Sequence, residues 1–238
     1  LNAIVNRTTG VKVREEGGLG SDFNLSINGM SGNSIRYFID GMPLDAKGSG
    51  VTLANLPPNI IDRIEIYKGV VPAHLGTDAL GGAVNIITSQ QKKNFLDASY
   101  SIGSFHTHQF NVNGQYVTPK AGIIVKPTLS VNYSKNDYKV KNVEVWNEEK
   151  GKYVYEERKR FHDDYFSLLG QVEVGVTNKK WADNFFVTAS YSKTDKELQT
   201  GSIQTVVYGE ARRKSDSKNF SATYKKRNFF VDKLDVNA

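Results

Sequence analysis

The chain has no cysteine, two methionines and two tryptophans, and it contains no long apolar run. Without cysteine there is no thiolate metal site, no cysteine nucleophile and no disulfide framework. A charge or a glycine interrupts every apolar run well before the ~20 consecutive residues that a membrane-spanning helix requires, so only a β-barrel could cross a membrane here. Enzyme signatures are missing too. There is no Gly-x4-Gly-Lys-Ser/Thr loop, no Gly-x-Ser-x-Gly elbow and no His-Glu-x-x-His helix. The segment "GGLGSD" has glycines but no lysine and reads as a turn. His106 and His108 alternate onto one strand face, but two imidazoles are too few for a metal site; they are expected in the first outer loop. His74 reads as a surface residue. No catalytic residue, metal or cofactor is expected.

What is present is 238 residues with 39% hydrophobic, 11% aromatic and 24% charged side chains, a composition outside the disordered and collagen-like classes. The net charge of +6 is unevenly spread. Residues 1–89 hold seven basic and eight acidic side chains, net −1, and the remainder holds 24 and 17, net +7. Only four of the 26 aromatics lie before Ser89, together with thirteen of 21 glycines and four of six prolines. Two differently built parts are implied. The basic excess does not indicate nucleic acid, because aromatics are not interleaved with the charges on one face; an anionic ligand or lipopolysaccharide accounts for it as well. From Glu144 to Asp164, carboxylates such as Glu148, Glu149, Glu156 and Glu157 alternate with Lys150, Lys152, Arg158 and Lys159. This pattern favours a solvated hairpin loop over the paired carboxylates of a glycosidase.

In the first part, clusters such as "EEGGLGSD", "GMSGN" and "LPPN" read as turns between short β-branched runs. In "RIEIYKG", Ile64 and Ile66 share one face while Arg63, Glu65 and Tyr67 share the other. Pro58 can start a short helix, and "PAHLGTDALGG" can form a helical turn closed by Gly81. The succession "IRYFIDGMPL", "LANLPPNIIDRIEIYKG" and "PAHLGTDALGGAVNIIT", from Ile35 to Thr88, resembles the plug domain of TonB-dependent outer-membrane receptors. Where that family usually carries an Ile-Arg-Gly element, this sequence has Asn28 before Gly29.

From Phe95 onward the alternation lengthens. Leu96, Ala98, Tyr100 and Ile102 oppose Asp97, Ser99 and Ser101; Phe110, Val112 and Tyr116 oppose Asn111, Asn113 and Gln115; Val125 to Tyr133 alternate with Lys126 to Ser134. Further strands are read at Phe166–Val176, Phe185–Tyr191 and Phe220–Tyr224, with Phe230 opening another. Period two alone fits a soluble sandwich as well as a barrel. Short connections ("TPKAG", "NKKWAD", "KRN") alternate with long charged ones, and aromatics gather near strand ends, as in membrane barrels.

The resemblance implies an α+β plug, a small mixed sheet with short helices, over residues 1–89. It is followed over residues 90–238 by about the first seven antiparallel strands of an incomplete transmembrane β-barrel; both parts are expected to be truncated, without the family's energy-coupling motif. The plug residues that it singles out for structural or gating roles are Asp40, Gly41, Pro43, Arg63, Glu65, Lys68, Gly69, Gly76, Gly81, Gly82 and Asn85, with Arg63 matching a plug arginine that pairs with the barrel wall. The wording of "YKGVVPAHLG" and "GGAVNIIT" is closer to siderophore, haem and cobalamin importers than to glycan importers. The implied protein is a non-enzymatic outer-membrane transporter of a ferric siderophore or similar chelate. Its implied partners are an inner-membrane TonB-type transducer and outer-membrane lipid. The alternative is a secreted β-rich adhesin or glycan-binding module with a soluble sandwich.

Overall fold

Turn chemistry and β-branched runs shape the N-terminal part. The computed structural model describes residues 5–15, 17–44, 56–72, 75–76, 79–88, 93–200, 207–230 and 236–237. There, β1 (Val11–Glu15), β2 (Phe23–Ile27) and β3 (Met30–Ser31) make an antiparallel sheet. A second sheet holds β4 (Ile35–Ile39), β5 (Met42–Pro43), β6 (Ile61–Tyr67) and β7 (Gly82–Thr88) in the order β5-β4-β7-β6. It is mixed, since β4 and β7 run parallel while the other neighbours are antiparallel. Two hairpins turn on Asn28-Gly29 and Asp40-Gly41, with φ of 50° and 86° and of 52° and 82°. Positive φ at both central residues matches the strand twist, and Asn or Asp followed by Gly tolerates it best.

The face of β6 with Ile64 and Ile66 packs, as its alternation predicts, with Val84 and Ile35 of its own sheet against Val11, Leu25 and Ile27 of the first sheet. On the opposite face Phe38 and Ala83 pack with Leu75 and Ala79. Of the expected short helices, the one at Pro58 is a single 3-10 turn, Pro58–Ile60, rather than an α-helix, and a second such turn spans Gly32–Ser34. A segment of that length cannot repay the cost of nucleating an α-helix. The helical turn expected in "PAHLGTDALGG" falls partly outside the described residues, as does His74.

In the second part the strands are β8 (Phe95–Gly103), β9 (Thr107–Val117), β10 (Ile123–Ser134), β11 (Lys139–Asn147), β12 (Lys152–Lys159), β13 (Tyr165–Thr177), β14 (Asn184–Glu197), β15 (Arg212–Lys226) and β16 (Val236–Asn237). Seven of them form one sheet of order β8-β9-β10-β13-β14-β15-β16, and β11 and β12 form a separate hairpin. Every pairing is antiparallel. The Glu144–Asp164 stretch is therefore largely that hairpin, as its interleaved charges suggested.

Burial in this sheet is the reverse of a soluble protein's. Cross-strand register aligns Ala98, Val112, Leu129 and Gly170 on one face, and that face continues through Val172, Ala189 and Phe220. It stands open, with Leu96 75% and Phe220 75% exposed. On the other face Asn111, Asn113, Ser130, Asn132, Ser167 and Ser192 are buried, because the N-terminal module covers them. Leu169, an apolar residue on this polar face, joins the core of Ile39, Leu44, Leu56 and Ile86. Among the described residues no second sheet lies on the apolar face, where a sandwich would need one.

Two strand readings change. The strand expected at Phe220–Tyr224 begins eight residues earlier, at Arg212, because its charged stretch is paired rung by rung with Lys193–Glu197 of β14. The further strand read from Phe230 is described only as β16, paired with β15, since residues 231–235 lie outside the described residues; Phe230 itself lies before it, 91% exposed with φ 61°.

The glycines of "GGLGSD" turn the chain, as expected, and they also let it touch the sheet. A Cβ on Gly18 would overlap the Asn136 side chain, and one on Gly20, where φ is 79°, would overlap the Tyr165 ring. Gly20→Val should therefore cost about 1–3 kcal/mol of strain and open this loop. Limited proteolysis between Gly17 and Asp22 is expected to accelerate roughly fivefold or more, whereas Gly209→Ala, with nothing within 4 Å, should leave the rate unchanged.

Candidate functional site

The sequence-predicted residues Asp40, Gly41, Glu65, Arg63 and Asn85 meet in one line of hydrogen bonds across the four-stranded sheet. Register puts Asn85 of β7 beside Phe38 of β4 on one side and Glu65 of β6 on the other. Asn85 is buried; its Oδ1 accepts from the Gly41 amide at 3.1 Å and its Nδ2 donates to Glu65 Oε2 at 3.2 Å. Glu65 also accepts from the Tyr67 hydroxyl at 2.9 Å and from Arg63 Nε at 3.0 Å. Asp40 closes the far side: its carboxylate accepts from the Thr88 amide at 2.9 Å and the Thr88 hydroxyl at 2.6 Å. The turn, the parallel pair and the edge strand are thereby tied together.

Burial works to raise the Glu65 pKa, but hydrogen bonds from Tyr67, Arg63 and Asn85 and the Arg63 charge outweigh it and hold the carboxyl below its ordinary value. The hydrogen bond to Glu65, aided by burial, correspondingly raises the Tyr67 pKa. The ion pairs of Arg63 among the described residues are with Glu65 at 2.9 Å and Asp62 at 3.3 Å, both in its own strand.

The other named residues lie around this line. Pro43 pairs with Phe38, and Lys68 donates to the Thr9 carbonyl. Gly69, Gly76 and Gly82 have φ of 97°, 92° and 131°. The Gly81 amide donates to the Ser34 carbonyl at 2.8 Å. The two histidines do not meet: His106 sits in the β8–β9 turn, 3.5 Å from Asp137, while His108 lies between Tyr100 and Tyr133 in the apolar face. No metal-ligating cluster occurs among the described residues.

A second assembly, not foreseen from sequence, lies where the module meets the end of the sheet carrying the long connections 135–164 and 198–211. A cavity of about 540 Å³ is lined there by Arg14 and Asp22 of the module and by Arg160, Asp163, Lys196 and Arg213 of the sheet and its loops. Lys196 donates to Asp163 Oδ1 at 2.7 Å and Arg160 to Asp163 Oδ2 at 2.7 Å, so a largely buried carboxylate carries two cations. Arg213 pairs with Asp22 at 3.1 Å. Arg14 is exposed and has no ion pair among the described residues. Asn136, with φ 51°, joins the two parts by donating to the Leu19 carbonyl at 2.9 Å and the Asp163 carbonyl at 3.0 Å. Only the unusual run of glycines opposite these loops marked the contact in the sequence.

Residues 1–83 match the family model for the TonB-dependent Receptor Plug Domain. The Vitamin B12 transporter BtuB of Vibrio vulnificus is 24% identical over 240 residues, covering 90% of this chain and 38% of its own length. Among solved structures, the ferric enterobactin receptor PfeA is similar with a TM-score of 0.67 at 15% identity, over 97% of this chain and 37% of that one. The FrpB iron transporter from Neisseria meningitidis gives 0.63 at 19% identity, over 100% and 37%. At such identities these structures establish the fold, and the chain spans little more than a third of its relatives' length.

Replacing Asn85 by Leu removes the amide that bridges the Gly41 N–H and the Glu65 carboxylate, and an unpaired buried group costs about 1–3 kcal/mol; hydrogen exchange at the Gly41 amide should quicken accordingly. Because the Glu65 pKa is depressed on folding, its contribution is present above its ordinary value of 4.5 and lost as pH falls from there through the folded value. Glu65→Gln should flatten that acid limb in a stability-versus-pH titration.

Proposed function

We propose, on the premise that this chain belongs to the TonB-dependent receptors, that the protein binds a ferric siderophore or similar metal chelate at the outer-membrane surface and imports it by energy-coupled rearrangement of the plug. The single observation that carries this reading is the inverted sheet, with its apolar face bare and its polar face wrapped on a separate module. Such a wall suits hydrocarbon outside and a polar lumen inside. The module is then the plug, the long connections are extracellular, and Tyr116, Trp181 and Tyr224 mark the periplasmic rim of the apolar band.

The cavity shared by plug and outer loops is the proposed ligand site. Its basic residues outnumber its acidic ones, four to three, which favours a chelate bearing negative oxygen ligands. A ligand there touches plug and wall at once, so it can favour one plug position only through contacts that differ between the two states. The plug is displaced as a unit by an inner-membrane TonB-type transducer, and the Asn85–Glu65 line keeps its four-stranded sheet intact. The relatives named above are transporters and receptors, in keeping with a non-enzymatic role.

Binding of an iron-loaded siderophore panel to the full-length protein in outer-membrane vesicles tests the site. Arg14→Ala and Arg213→Ala should each weaken the bound chelate about tenfold or more, the scale of a lost charged hydrogen bond, and Lys179→Ala at the opposite end should not. Unchanged affinity in both arginine variants would remove the cavity from the reading. Placement in the membrane is tested separately: Val172→Lys on the bare face should cost ~2–4 kcal/mol when the protein is folded into lipid vesicles. A cost near zero would sink the barrel assignment.

A further inference from the structure

The β11–β12 hairpin is a two-stranded sheet of its own, and such a ribbon is marginal in water unless something packs on it. Register sets Trp146 opposite Tyr153 and Glu144 opposite Tyr155, so period two brings these four side chains to one face. The Trp146 and Tyr153 rings meet edge to face, 5.1 Å apart at 71°. They are 52% and 57% exposed, and Tyr155 is 70% exposed. Val143, Val145 and Val154 lie on the other face and are half-buried, so the open side of the ribbon is the aromatic one. At the base of the hairpin the charges engage one another: Lys139 pairs with Glu157 at 2.9 Å, Arg158 with Glu156 at 2.6 Å and Lys159 with Asp137 at 2.8 Å. Towards the tip, Glu144, Glu148, Glu149, Lys150 and Lys152 have no ion pair among the described residues. Of these only Glu144 shares the ring face, since Lys152 stands opposite Asn147 on the valine face and the others belong to the turn.

We infer that this face binds a neutral carbohydrate chain, which stacks its sugar rings on Trp146, Tyr153 and Tyr155 and donates hydroxyls to Glu144. A pyranose has an apolar C–H face that suits an aromatic ring and a rim of hydroxyl donors, and an ionised carboxylate can only accept. Other occupants match the face less well. Hydrocarbon would bury an unpaired Glu144. An anionic polymer would meet Glu144, with Glu148 and Glu149 in the adjoining turn, and no cation on the ring face to offset the repulsion. A protein needs more area: three rings a little over half exposed present on the order of 300 Å², against about 800 Å² per partner in a stable protein interface. Successive same-face positions lie about 6.8 Å apart along a strand, a spacing that sets sugars in a row along the ribbon. None of the four residues lines the cavity assigned to the chelate, so the two sites are separate.

The inference goes beyond the transport reading and stands whether or not the cavity takes a chelate. The full-length protein, in a detergent without a sugar headgroup, is titrated with neutral hexasaccharides of glucose, mannose and galactose, with a hexamer of galacturonic acid and with hexalysine, and the hairpin is footprinted with hydroxyl radicals. A neutral hexasaccharide should bind and protect Trp146, Tyr153 and Tyr155 about fivefold or more. Trp146→Ala and Tyr155→Ala should each weaken that binding about fivefold or more, whereas Trp146→Phe, which keeps a ring, should weaken it less than about threefold. Lys150→Ala, in the turn, should leave it unchanged. The site is overturned if no neutral hexasaccharide binds, if the galacturonate binds equally well, or if hexalysine alone protects the rings. Wild-type affinity in both alanine variants would overturn it too. Binding of the iron-loaded siderophores should be the same in Trp146→Ala as in the wild type; a loss there would overturn the separation of the two sites.

Discussion

Side-chain polarity across the seven-stranded sheet governs everything else in this molecule. Backbone groups in the interior of the sheet are satisfied by neighbouring strands, so the two faces are free to choose their surroundings through side chains alone. One face offers Val, Leu, Phe and Tyr to whatever lies outside, and the other offers Asn, Ser, Gln and Thr inward. A module enclosed by such a wall cannot be held by a continuous apolar seam. Leu169 makes an apolar bridge between wall and plug core, but the surfaces around it are polar. Polar surfaces that exchange hydrogen bonds with each other or with water cost little to separate, whereas two apolar faces would lose about 25 cal/mol for every Å² re-exposed. The composition of the sheet thus leaves the seat of the N-terminal module largely polar.

The N-terminal module is held together by contacts of its own. The line from Asp40 and Gly41 through Asn85 to Glu65 and Arg63 crosses strands that are distant in sequence and keeps its charges inside the module. Arg63, satisfied by Glu65 and Asp62, stiffens the strand it belongs to. The Asp163–Lys196–Arg160 cluster has the same character on the other side, since all three members belong to the sheet and its loops.

Much of the plug was legible because its determinants are local. Asp40-Gly41 announces a two-residue turn, Ile64 and Ile66 announce a buried face, and both are as the alternation indicated. The seven-stranded sheet was legible for the same reason wherever apolar and polar residues alternate. Legibility failed where the determinant was remote. The glycines at 18 and 20 answer to Asn136 and Tyr165, more than a hundred residues away, and no local pattern can encode that. It failed as well where a strand runs beyond the apolar rungs: Arg212–Asn219 carries charges on both faces and so shows no apolar period, although it is as fully paired as the rest of β15. Proline marked where the turn at Pro58–Ile60 begins, but punctuation of this kind does not say whether enough residues follow for an α-helix.

The contacts that join the N-terminal module to the long-loop end of the sheet differ in how firmly they are held. Among the described residues they include the Asn136–Leu19 hydrogen bond, the Arg213–Asp22 ion pair and the close glycine passage beneath Tyr165. Asn136 is itself fixed by Ser134 and Asp163 on the sheet side, and the glycine passage admits no side chain, so both constrain the backbone of the loop. Asp22 and Arg213 line the cavity and are exposed, so water screens their pair and it adds little to the cohesion of the two parts; the seat is therefore set by the asparagine and the glycines rather than by the ion pair.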